Sequence, residues 1–127
     1  MHLDNDSQSL VFSGNEIAPM AAALDQFINN DNPTPEGFEK AQLGALCDDL
    51  STEATRSIYA ATYEIPVIVK LPVELASVFG IGLDLVSDHL DQVMPSRSED
   101  NSTRKYIIEQ KRIVRKMRKV LGKVALA

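Results

Sequence analysis

The chain has 127 residues, enough for one domain with its own core and too few for two. It carries 18 acidic and 13 basic side chains for a net charge of −5, and no apolar run of about eighteen residues, which excludes a membrane-spanning helix. Cys47 is the only cysteine, which excludes an internal disulfide, and the acidic start Met1-His2-Leu3-Asp4-Asn5-Asp6 lacks the basic and apolar regions of a secretory leader, so a cytoplasmic setting is expected.

Residues 1–15 read as a polar N-terminal segment in which Leu10-Val11-Phe12 can form one short strand or an anchoring segment. Asn15 is a suitable N-cap, and Ile17, Met20, Leu24, Phe27 and Ile28 recur at helical spacing, which predicts an amphipathic helix to about Asn29. The turn formers Asn29-Asn30-Asp31-Asn32-Pro33 end it. Thr34-Pro35-Glu36 offers a second helix start, with a capping hydroxyl, proline at the first position and an acid at the positive helix end. Phe38, Ala41, Leu43, Leu46 and Leu50 form its inward stripe, and Cys47 lies in that pattern as a small hydrophobe rather than a nucleophile.

A break is expected at Asp48-Asp49-Leu50-Ser51-Thr52, followed by a third helix carrying Ala54, Ile58, Tyr59 and Thr62. Ile65-Pro66-Val67-Ile68-Val69-Lys70 is β-branched and reads as a lone extended segment, with too few neighbouring strand candidates for a sheet. After Pro72, residues 73–80 and 83–94 read as two helical halves divided by Gly80-Ile81-Gly82. Residues 95–103 read as a polar, mobile loop, and Ser102 or Thr103 as the cap of a last helix over about 104–122.

Charge is distributed unevenly. From residue 104 onward there are nine basic side chains against Glu109 alone, whereas the first 103 residues hold four basic and seventeen acidic ones. An acidic body with a basic tail helix suggests an anionic partner for the tail, or docking of the tail on acidic surface of the same or a second copy. Within that helix Ile107, Val114 and Leu121 recur every seven residues with Met117 alongside, an apolar stripe suited to packing on the body or on a partner. Arg104, Lys105, Lys111, Arg112, Arg115, Lys116, Arg118 and Lys119 are candidate phosphate contacts, which would give affinity and salt dependence without sequence choice.

Residues 75–90 carry the clearest motif. Ala76 is a small residue where two helices could cross, Leu75 and Phe79 face inward, Gly80 can serve a tight turn, Ile81 follows it, and Val86 and Leu90 anchor a second helix. This string resembles bacterial helix-turn-helix transcription regulators over about twenty residues. The resemblance implies a second helix presented to a DNA major groove, with Gly82 through Leu85, Ser87 and Asp88 on the groove side. Two departures stand out: Gly82 occupies the usual capping position, and Asp84 and Asp88 would set carboxylates against phosphates. The plain alternative is a buried helical hairpin with a glycine-marked kink.

Catalytic chemistry has little footing. His2 is terminal, His89 lies in an amphipathic helix, and neither Asp48-Asp49 nor Asp84, Asp88 and Asp91 has metal-ligand spacing with a His or Cys. No enzyme, cofactor or metal is therefore expected. The predicted fold is mostly α: one compact helical domain of five or six helices, with a helix-turn-helix-like hairpin over 73–94 inside a core of 16–94, at most one short strand, and a basic helix over 104–127. The leading expectation is a small regulatory nucleic-acid-binding protein with phosphate contacts from the basic helix. The opposing one is a protein–protein interaction module using the acidic body (Asp48, Asp49, Asp84, Asp88, Asp91) or the stripe Ile107, Val114, Met117 and Leu121. Double-stranded DNA, another protein or a second copy are the partners these readings imply, with no membrane.

Overall fold

A computed structural model describes residues 1–62, 66–95 and 101–126. Among them lie a three-stranded antiparallel sheet of order β1-β2-β3 and four α-helices. The elements run β1 (His2–Asp4), β2 (Ser9–Ser13), a 3-10 turn at Gly14–Glu16, α1 (Ile17–Asn29), α2 (Lys40–Thr62), β3 (Ile68–Pro72), a second 3-10 turn at Val73–Leu75, α3 (Ala76–Val93) and α4 (Asn101–Leu126). Helix α1 packs on α2 and α3, and α3 packs in turn on α4.

The expected five or six helices are thus four, because two pairs that the sequence divides are each continuous. In α2 the suspected break at 48–52 stays helical. There Thr52 Oγ1 donates to the Asp48 carbonyl at 3.1 Å and Thr55 Oγ1 to that of Ser51 at 3.2 Å, so these hydroxyls bond back to the preceding turn instead of capping a new helix. In α3 the helix runs unbroken through Gly80-Ile81-Gly82, so the expected helical hairpin is not formed.

The helix expected from Thr34-Pro35-Glu36 starts later. Gly37 sits at φ +90°, a conformation only glycine adopts freely, and the chain turns there with the Phe38 N–H bonded to the Pro35 carbonyl at 3.1 Å. Helix α2 then opens at Lys40, with the Gln42 side chain accepting the Glu39 N–H at 2.7 Å.

The sheet also exceeds the expected single strand. Leu10-Val11-Phe12 does form a strand, but it is the centre of three: β1 pairs with it through Leu3↔Leu10, and β3 through Leu10↔Leu71 and Phe12↔Val69. Leu10, Phe12 and Leu71 join the buried core, with Leu3 and Val69 partly buried against it. A local turn holds the first hairpin, where the Asp4 carboxylate accepts both the Asp6 N–H and the Ser7 hydroxyl. The Ser7 hydroxyl is the main reason the Asp4 carboxyl titrates below its ordinary value. Residues 96–100 of the loop expected at 95–103, and Ile65 of the extended segment, lie outside the described residues.

Cys47 is half-buried, its thiol directed at the Ala21 carbonyl at 3.7 Å; burial, then the charges of Asp25 and Asp48, push its pKa upward. Gly44, in α2, has open space where a Cβ would project. Gly44→Ala is expected to stabilise the protein by up to about 1 kcal/mol through helix propensity, raising the thermal midpoint by about 4 °C in a circular dichroism melt.

Candidate anion-binding face on the C-terminal helix

Helix α4 holds 26 residues and is about 39 Å long. One stripe faces inward: Ile107, Ile113, Val114, Met117 and Leu121 are each 6% exposed or less. The four residues suggested for a partner, Ile107, Val114, Met117 and Leu121, are therefore buried within this same chain, and no apolar seam built from them is offered to a second copy. Burial of that stripe turns the basic arc of α4 outward and toward α3.

The seam between α3 and α4 is electrostatic. Arg118 donates to Asp84 through two bonds, Nε to Oδ1 at 2.8 Å and a terminal nitrogen to Oδ2 at 3.2 Å, and Lys111 pairs with Asp91. Asp84 and Asp91 are seven residues apart, as are Lys111 and Arg118, and the two pairs run in opposite directions along the chain. The helices are thus antiparallel and their charges match over two turns. The bond to Asp84 raises the Arg118 pKa, although Asp84 is 59% and Arg118 42% exposed. A pair that open contributes at most about 1 kcal/mol, so it sets register more than stability.

Other basic residues divide into engaged and available ones. Arg104 donates to the Pro95 carbonyl at 3.2 Å. Arg112 pairs with Glu109 one turn away, and that bond is the main reason the Glu109 carboxyl titrates below its ordinary value. Lys105, Arg115, Lys116, Lys119 and Lys123 make no ion pair among the described residues, Lys116 acting on Glu109 only at longer range.

Two of the grooves beside this arc gather several of its cations. The first, of about 280 Å³, lies between α3 and α4 on a floor of Leu83 and Val114. Lys111, Arg115, Arg118 and Lys119 supply its cations, and Asp84 and Ser87 its α3 wall. The second, of about 260 Å³, shares Lys111 and Arg115 and adds Arg112 with the apolar Met94 and Ile108. All eight basic residues singled out in the sequence lie on α4, and four of them converge on the first groove. Docking of the tail on acidic surface of the same chain, one of the expected outcomes, occurs through Asp84 and Asp91, and the sequence carries the signal for these partners as opposite charges at matching seven-residue spacing.

The α3 surface expected to face DNA is largely occupied. Gly82 and Leu83 are buried, with Gly82 against the Ala23 backbone of α1, and Asp84 is bonded to Arg118. Asp88 is exposed, as are Asp48 and Asp49 on α2. Among the described residues no helix is long and apolar enough to cross a membrane, and no three His, Cys, Asp or Glu side chains form a group that could hold a metal ion. No family model, curated protein or solved structure matches this chain.

Proposed function

We propose that the protein binds nucleic acid through the phosphate backbone, using the outward arc of α4. The observation that carries this reading is the set Lys105, Arg115, Lys116, Lys119 and Lys123, five cations on one helix without an ion pair among the described residues. A surface evolved only for solubility intersperses both signs, whereas here the internal carboxylates answer only part of the charge. A helix of this length, with its cations on the outer face, can follow successive phosphates. Such contact brings affinity without base reading, in keeping with the carboxylates that α3 sets beside the seam.

Fluorescence anisotropy with a short mixed-sequence duplex tests it. Binding at low salt is expected to weaken steeply between about 50 and 200 mM salt, with a log–log slope of about −4.5 for five contacts. The variant Arg115→Gln/Lys116→Gln/Lys119→Gln/Lys123→Gln should bind weakly and flatten that slope by about three to four. No binding at low salt would overturn the reading. The competing reading, a protein partner, is favoured by Ile58 and Tyr59 on α2, which are 71% and 69% exposed. It predicts instead that Ile58→Ser/Tyr59→Ser abolishes capture of a cellular partner while leaving duplex binding untouched.

A further inference from the structure

We infer that the groove between α3 and α4 seats a terminal phosphomonoester, the phosphorylated end of a nucleic-acid strand; the strand part of this inference rests on the nucleic-acid reading above. The groove is a recess between two helices, unlike the outer face that carries Lys105, Lys116 and Lys123, so it suits a compact anion rather than a continuous backbone. Its four cations, Lys111, Arg115, Arg118 and Lys119, face two carboxylates, Asp84 on Arg118 and Asp91 on Lys111. Two positive charges are left over. An internal phosphodiester carries one negative charge, whereas a phosphomonoester carries close to two near neutral pH and presents three acceptor oxygens.

The geometry fits the same ligand. Arg118 and Lys111 stay engaged by Asp84 and Asp91 along the seam, which leaves Arg115 and Lys119 to meet the anion from α4. Arg115 and Lys119 lie one turn apart and have no internal ion pair, so their charge is available. Ser87 places a hydroxyl on the wall, and Leu83 and Val114 close the floor with apolar surface. That floor keeps water from one side of the bound anion and strengthens each charged contact.

The test compares one short duplex in three forms, with both ends hydroxyl, with 5′-phosphates, and with 3′-phosphates, at a single salt concentration on the full chain. At least one phosphorylated form is expected to bind about tenfold more tightly than the hydroxyl form. Arg115→Gln/Lys119→Gln should weaken all three forms and also erase that preference, while leaving the Asp84 and Asp91 pairs in place, whereas Lys105→Gln should weaken all three forms and keep the preference. Equal binding of the three forms by the unaltered chain would overturn the phosphomonoester seat and leave the nucleic-acid reading standing. If none of the three binds, the nucleic-acid reading falls, and titration with adenosine 5′-monophosphate against adenosine decides the seat. Saturable amide shifts at Ser87 and Arg118 with the monophosphate alone, lost in Arg115→Gln/Lys119→Gln, would support a free-nucleotide seat, and their absence would overturn it.

Discussion

A chain ending after Pro95 will show no cooperative thermal transition and little amide dispersion. The reason lies in what α4 covers. Ile107, Ile113, Val114, Met117 and Leu121 are buried to 6% exposure or less, and all but Ile107 join the same core as Leu75, Phe79 and Leu83. Each such side chain stabilises by about 1.5–3 kcal/mol when buried, so five of them contribute about 8–15 kcal/mol. The net stability of a domain is itself only about 5–15 kcal/mol. Loss of the helix also uncovers the α3 surface beneath it. A circular dichroism melt and a proton–nitrogen correlation spectrum check this, and a truncated chain that melts cooperatively would show that the core closes without α4. It follows that removing α4 is a poor way to map phosphate contacts, and that substitutions on its exposed arc, such as Lys116→Gln, separate binding from folding.

Gly82→Ala is expected to destabilise the protein by about 3 kcal/mol or more, at the upper end for overpacking. A Cβ at this position would lie 2.1 Å from the Ala23 carbonyl oxygen, 2.6 Å from its carbon and 2.9 Å from its Cα. These are backbone atoms of α1, so no rotamer change relieves the clash and the two helices must separate. That separation loosens the α1–α3 contact, which holds Ala23, Leu24, Phe79 and Leu83 together in the core. The thermal midpoint should fall by about 10 °C or more, and the urea midpoint should fall with it. Gly44→Ala, the same substitution where space is open, should move both midpoints the other way. A Gly82→Ala change within about 0.5 kcal/mol of zero would show that α1 and α3 do not cross so closely.

The two glycines of the 75–90 motif explain why part of the fold is illegible in the sequence. Gly80 and Gly82 in a short apolar string suggest a turn, because glycine is the common residue where a helix stops. Here both are helical, and Gly82 serves close approach between α1 and α3 instead. A sequence does not distinguish these uses, since both require the missing Cβ and only the neighbouring helix decides between them. The acidic-polar break at 48–52 failed similarly, because Ser and Thr hydroxyls can cap a helix or bond back within one. Strand β1 was hidden for a different reason: it is three residues long and only Leu3 faces the core, so its pairing with β2 creates a strand that its own pattern does not announce.

The apolar stripe and the one-signed arc of the C-terminal helix, the first amphipathic helix, and a short strand at Leu10-Val11-Phe12 are all legible in the chain. These depend on residue spacing within a single element, which is local. Packing settled that the stripe is covered by this chain rather than by a partner, and that Asp84 and Asp91 face Arg118 and Lys111. It also decided which cations keep their charge available. Those outcomes depend on which surfaces meet, and burial and pairing between elements tens of residues apart follow from packing the whole chain.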